Sequence, residues 1–342
     1  PELVIRSSFT ADQIMAQDTS IQYSLPRAEG DLVGIRLPEK YNGLGFKNLI
    51  YMVIKMLDFH QQWVTQDERT PVHLVIVEEP EAHLHAQLQQ VFISKMQEII
   101  SDDSGLTTQL VVTTHSAHVI NESRFTPIRY FRRVQSSTGR HESQVRDVSK
   151  LNTLEKDTKN FLERYMKLTH CDLFFADAVI LVEGNVERLL LPSIIEKSQR
   201  SLTSNYLTIL EVGGAFAHKF DPLLALLGIP TLVITDLDSV TPSAPSGGSV
   251  GNPAQDGSPS VASGTSCPAD TPLAVTSNST LRDWHPRKAT VAELLGLSDT
   301  AKEFSLGTDN PTLLRVAYQT SSDVTKDGIS SRVTGRTFEE TF

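Results

Sequence analysis

The stretch AVILVEGNVERLLL, Ala178 to Leu191, constrains the fold of this chain more than any other. A short apolar run rich in β-branched residues stops at Glu183-Gly184, and from Val186 to Ile195 apolar residues recur at helical spacing. The pattern predicts a strand over 178–183 and a helix over 186–198. The same rhythm continues with a strand at 206–212, Gly213-Gly214, a helix at 216–227 and a strand at 230–236. Strands alternating with helices at this spacing predict an α/β fold with a parallel sheet and right-handed crossovers, and ligands bind such sheets at the carboxyl ends of their strands. Glu183 and Glu187 lie at one such end. Asp236 and Asp238 lie at another and share a side, because strand side chains alternate with period two. Four carboxylates packed together repel one another unless cations neutralise them, so the arrangement predicts bound divalent metal. Oxygen-only ligation favours Mg²⁺ or Mn²⁺ over Zn²⁺.

A second constellation lies upstream. Val72 to Val77 reads as a buried strand and ends in the adjacent acids Glu78-Glu79. A helix is predicted over 86–100, then another strand that ends in Thr113-Thr114-His115-Ser116. Two acids at a strand end suit a nucleotide site in which the first holds Mg²⁺ and the second orients the attacking water. Before them, Asn42-Gly43-Leu44-Gly45 opens an apolar, helix-like run to Leu57. Glycines at a helix entrance let backbone N–H groups approach a phosphate, and an ordinary packed helix has the same appearance. No G-x-x-x-x-G-K-[ST] loop precedes Glu78, so ATP hydrolysis is not expected of this stretch alone.

The pattern of Glu-Gly after one strand and Asp-x-Asp after another resembles the Toprim domain of topoisomerases, primases and certain nucleases. The order of acidic strand end, helix and Thr-His-Ser strand end resembles the ABC ATPases. Taken with Thr276-Ser277-Asn278 and Gly335-Arg336-Thr337-Phe338-Glu339-Glu340, the whole is similar to the OLD (overcoming lysogenization defect) family of ATPase–Toprim nucleases from about Tyr41 onward. That resemblance implies the C-terminal portion of an ABC ATPase lobe over 1–120, a basic helical connector over 121–170, and a Toprim domain over 171–342. It implies Glu78 as the Mg²⁺-associated acid, Glu79 as the catalytic acid, His115 as the switch histidine, and Asn42, Gly43 and Gly45 as the signature-like element. It further implies two-metal phosphodiester hydrolysis at Glu183, Glu187, Asp236 and Asp238, with Thr337 and Glu339 or Glu340 completing the ligand set. Lys219, Arg332 and Arg336 are unranked candidates for stabilising developing charge. The implied partners are DNA, a second copy of the chain in a dimer, ATP, and an accessory helicase or phage-defence partner. The resemblance also implies a longer polypeptide, with a phosphate loop upstream and a further lysine downstream.

Composition narrows the alternatives. The formal charge of −10 disfavours a nucleic-acid protein at first sight, but between Asn121 and His170 there are 11 Lys and Arg against 6 Asp and Glu. That local excess predicts either a DNA-tracking surface or a solvated helical face of mixed charge. Two cysteines make neither a disulfide framework nor a zinc spacing, and no apolar run spans a bilayer, so a cytoplasmic protein without membrane contact is expected. From Ser239 to about Thr280 the sequence turns to Ser, Pro, Gly, Ala and Thr, which predicts a flexible insertion over 239–280. Two rival readings stand beside the nuclease: a topoisomerase- or primase-like Toprim protein, and an inert metal-binding regulatory module.

Overall fold

A computed structural model describes residues 2–7, 19–24, 36–38, 41–68, 70–82, 84–100, 108–122, 125–136, 138–168, 170–242, 264–307, 311–326 and 329–341. The chain divides into two compact units, Pro1–Glu122 and Ser123–Phe342.

The first unit begins with an antiparallel sheet of β1 (Glu2–Ser7), β2 (Thr19–Ser24) and β3 (Arg36–Pro38). Then comes α1 (Leu44–Val64), a parallel pair of β4 (His73–Glu78) and β5 (Thr108–Thr113), and the helices α2 (Ala86–Ile100) and α3 (Ala117–Asn121). Apolar spacing on α1 and α2 turns Met56, Phe92, Ile93 and Met96 onto one side, where they pack with Leu84, Val119 and the alternate strand positions Val75, Val77, Leu110 and Val112. The Trp63 ring stacks on His73, with centroids 4.6 Å apart, and fixes the end of α1 against the start of β4.

The second unit opens with an antiparallel hairpin of β6 (Arg129–Gln135) and β7 (His141–Asp147), followed by α4 (Lys156–Leu168). The expected helical connector is therefore half hairpin, and it belongs to the second unit. Its inward arginines are already used: Arg132 donates to the Leu227 carbonyl at 2.9 Å and Arg146 to that of Leu226 at 2.8 Å. Arg129 pairs with Asp147 at 2.9 Å.

The predicted strand–helix rhythm is present as β8 (Ala178–Val182), α5 (Asn185–Ser198), β9 (Leu207–Glu211), a 3₁₀ segment (Gly214–Phe220) running into α6 (Asp221–Leu227), and β10 (Thr231–Ile234). Beyond it lie β11 (Ser239–Val240), β12 (Val275–Thr276), α7 (Val291–Leu295), β13 (Glu303–Leu306), β14 (Thr312–Ala317), the hairpin β15 (Ser322–Lys326) with β16 (Ile329–Val333), and α8 (Phe338–Thr341). The central sheet has the order β13-β14-β10-β8-β9, parallel except for β13. The core lies beneath it: Leu181, Leu223, Leu224, Leu227, Ile229 and Leu281 are fully buried. Because β9 lies on one side of β8 and β10 on the other, the chain reverses direction across the sheet at β8 and β10. That switch point is where an open α/β sheet leaves a crevice at its carboxyl edge.

The expectation of a flexible insertion over 239–280 needs correction in its second half. Residues 264–280 are built into the domain: β12 pairs with β11, and Cys267, Ala269, Ala274 and Thr276 are buried. Residues 243–263 lie outside the described residues.

Candidate metal and nucleotide sites

The two strands flanking the switch point end in the predicted acids. Thr231↔Val179 through Ile234↔Val182 keep β8 and β10 in parallel register, so Glu183 and Thr235 leave the sheet side by side. The Glu183 Oε1 atom accepts hydrogen bonds from the Thr235 hydroxyl, from the Asp236 N–H at 3.1 Å and from Asn278 Nδ2 at 2.7 Å. Asn278 is 4% exposed, and its Nδ2 also faces the Thr235 hydroxyl at 2.8 Å and the Asp236 carbonyl at 2.9 Å, so one amide ties both strand ends together.

Asp236 Oδ1 accepts from Gln319 Nε2 at 2.6 Å and from the Phe338 N–H at 2.9 Å. Asp238 takes φ 45°, a left-handed conformation costly for a non-glycine residue and common where a site constrains the backbone. It is held there from the C-terminal segment: its N–H donates to the Arg336 carbonyl at 3.3 Å, and Arg336 Nη2 lies 3.7 Å from Asp238 Oδ1. Arg336 Nε also donates to the Ser239 carbonyl at 3.1 Å.

These three acids share one electrostatic environment. Burial raises Glu183, and the Asp238 charge adds to that against the opposing hydrogen bonds. Burial and the charge of Glu183 push Asp236 up to about 7. Burial raises Asp238 too, while Arg336 opposes it. One oxygen of each carboxylate carries the contacts above, and Glu183 Oε2, Asp236 Oδ2 and Asp238 Oδ2 accept no hydrogen bond among the described residues. An all-oxygen set of destabilised anions fits a hard divalent cation. No three His, Cys, Asp or Glu side chains among the described residues stand close enough to hold an ion as they are, so closing on one requires side-chain rotation.

Other predicted ligands are placed differently. Glu187 is 4% exposed and accepts the Gly184 N–H at 3.1 Å, the return half of a capping box at the start of α5. A Cβ at Gly184 would stand 3.3 Å from the Glu187 carboxylate, so this tight return favours glycine. Glu340 turns to the Arg336 N–H at 2.8 Å, the Glu340 N–H reaches the Thr337 hydroxyl at 3.4 Å, and Glu339 is exposed. Lys219 lies over the Phe161 and Phe216 rings, and Arg332 is on β16; of the three candidate bases Arg336 is the one beside the acids. Sequence reasoning missed Gln319, whose distant position carries no motif, and quoted Asn278 without a role.

In the first unit Glu78 closes β4, and Glu79 takes φ 45° with its N–H on the Thr113 carbonyl at 3.0 Å. The His115 ring stands 3.5 Å from Glu79 and 3.9 Å from Glu81. Glu81, which the sequence did not single out, accepts from the Thr114 hydroxyl at 2.7 Å and the His115 N–H at 2.8 Å, fixing the two strand ends. Its second oxygen is buried without a hydrogen-bond partner among the described residues. Gly43 caps α1, Gly45 lies in its first turn, and the side-chain nitrogen of Asn42 is buried without an acceptor among the described residues.

Comparison with known proteins agrees with this division. Residues 5–120 match the AAA ATPase domain, and residues 174–238 match the Toprim domain of overcoming lysogenization defect protein-like sequences. The chain is 29% identical over 252 residues to endonuclease GajA of Bacillus cereus (strain HuB5-5), covering 69% of this chain and 35% of that protein. It is 27% identical over 216 residues to the OLD nuclease of Thermus scotoductus (strain ATCC 700910 / SA-01), covering 61% of this chain and 37% of that protein. The chain thus spans little more than a third of the length of these curated relatives.

Proposed function

Because the chain carries an AAA-type ATPase region followed by an OLD-like Toprim domain, we propose that it supplies the nuclease centre of a divalent-metal-dependent DNA endonuclease that ATP regulates. The observation that carries this reading is the placement of three carboxylates, Glu183, Asp236 and Asp238, at the ends of two adjacent strands, where burial disfavours their charge and each has one oxygen free of hydrogen bonds among the described residues. Those residues would hold Mg²⁺ or Mn²⁺, with Glu187, Thr337 and Glu339 or Glu340 completing the ligand set for two ions. Bound there, the metal would supply charge neutralisation and activation of water for phosphodiester hydrolysis. Asn278 and Thr235 fix Glu183, the φ 45° turn presents Asp238, and Arg336 beside Asp238 offers positive charge for the phosphate. No side-chain nucleophile is needed, which separates this reading from a topoisomerase.

Glu78, Glu79, His115 and the Asn42–Gly45 element act on ATP in the complete protein, and the protein works as a dimer in the cytoplasm, in phage defence or DNA processing. No helix among the described residues is long and apolar enough to cross a membrane. The test is nicking of supercoiled plasmid in Mn²⁺: Glu183→Ala should abolish it, and undiminished cleavage would reject the assignment. An inert metal-binding module is the second reading. It predicts metal binding with no cleavage by the complete wild-type protein.

A further inference from the structure

Gln319 lies outside both matched segments, and its side chain bridges Asp236 and the backbone of Leu237 just beyond β10. It follows β14, the strand parallel to β10 on the side away from β8, and the Thr235 N–H continues that ladder onto the Ala317 carbonyl at 3.0 Å. The neighbouring Tyr318 is anchored on the opposite side, its hydroxyl donating to the Leu294 carbonyl at 2.7 Å, so the backbone that carries Gln319 is fixed. The Gln319 side chain is 7% exposed, and both ends are engaged: Oε1 accepts the Leu237 N–H at 2.8 Å, and Nε2 donates to Asp236 Oδ1 at 2.6 Å.

This arrangement fixes the direction of the amide. The Leu237 N–H can only donate, so the oxygen of Gln319 must face it and the NH₂ must face Asp236. The Asp236 Oδ1 atom then receives two donors, Gln319 Nε2 and the Phe338 N–H, and its accepting capacity is used. A full 180° turn of the carboxylate only exchanges its two equivalent oxygens, while any intermediate rotation leaves the Gln319 and Phe338 donors unpaired in a buried place, so one oxygen is always held and the other always presented.

We propose that Gln319 is a positioning residue that locks the Asp236 carboxylate so that Oδ2 alone is presented to the divalent cation. The proposal rests on the metal-dependent reading above. Groups that orient a metal ligand from behind typically change metal affinity about 10–100-fold when removed, and Gln319 is assigned that part here.

The test is Mn²⁺ binding by titration calorimetry on the full chain, comparing wild type, Gln319→Met, Asp236→Asn and the double variant. Gln319→Met should weaken Mn²⁺ binding at least about tenfold and add almost nothing in the Asp236→Asn background, since the ligand it orients is already gone. Wild-type affinity in Gln319→Met, with binding lost in Asp236→Asn, overturns the positioning role and leaves the metal reading intact. An equal further loss in the Asp236→Asn background also overturns it, because Gln319 would then act on the fold and not on Asp236. Unchanged affinity in Asp236→Asn overturns the metal reading itself. Should Gln319→Met fail to fold, Gln319→Asn keeps the amide and shortens its reach by one methylene, with the same outcomes expected.

Discussion

The Asn278→Asp substitution isolates the electrostatics of the switch point with almost no change of shape. The Oδ1 atom of Asn278 accepts the Thr280 N–H at 2.9 Å, and an aspartate keeps that bond. What changes is Nδ2, the donor to Glu183 Oε1 at 2.7 Å, which becomes an oxygen. The fold loses a hydrogen bond to a charged acceptor, about 1.5–3 kcal/mol. It gains a like-charge contact that, at 2.7 Å and an effective dielectric constant of about 20, amounts to about 6 kcal/mol. Holding a proton on a carboxyl pair costs only about 1.4 kcal/mol per pH unit above its ordinary pKa, so the buried pair keeps one proton through neutrality. The native state then binds one more proton than the unfolded chain. With that sign, stability relative to wild type falls by up to about 1.4 kcal/mol per unit as pH rises from 5 to 7, the full slope applying where Glu183 of the wild type is ionised. Urea unfolding followed by circular dichroism at half-unit pH steps measures the slope directly. Parallel pH profiles for the two proteins would refute the reasoning.

Other expectations follow from the same geometry. Asp236 has a folded pKa of about 7, above that of a free aspartate, so its contribution favours the fold at low pH and is lost as pH rises to about 7. A divalent cation offsets that loss, and Mn²⁺ should raise Tm more at pH 8 than at pH 5 in scanning calorimetry; equal increments would contradict this. Glu187→Gln keeps an acceptor for the Gly184 N–H and loses only the negative charge at the helix N-terminus, so stability should fall by no more than about 1 kcal/mol, while plasmid nicking by the complete protein falls at least tenfold (about 1.4 kcal/mol) for want of an anionic ligand. Retained nicking would leave Glu187 as a cap alone. Glu81→Ala leaves the Thr114 hydroxyl and His115 N–H without their acceptor, and hydrogen exchange at the His115 amide should quicken by about 1–3 kcal/mol of lost protection, against no change if the contact is incidental.

The strand ends at Glu183, Asp236 and Asp238 were legible because a buried parallel strand is a run of apolar residues and its end is marked by the first charge. Glu187 was legible as an acid but not as a cap, since its partner is a backbone N–H on Gly184, which offers no side chain to complete the usual Ser/Thr signature. The β6–β7 hairpin was hidden because its inward positions include Arg132 and Arg146, whose guanidinium groups bond carbonyls at the end of α6 where an apolar side chain is the normal expectation. Residues 264–280 carry little apolar surface of their own, yet Cys267, Ala269 and Ala274 are small enough to pack against a core that the rest of the domain supplies. Gln319 and Asn278 act across gaps of 83 and 95 residues, distances at which only the folded chain brings partners together.

Anomalous diffraction at the manganese edge, from crystals of this chain grown in Mn²⁺, addresses the metal site with least intervening inference. The account predicts a peak within ~2.0–2.3 Å of carboxylate oxygens of Glu183, Asp236 and Asp238, with Gln319 still on Asp236 Oδ1. A crystal that binds manganese only at other residues, or shows no peak at the ends of β8 and β10, would contradict it.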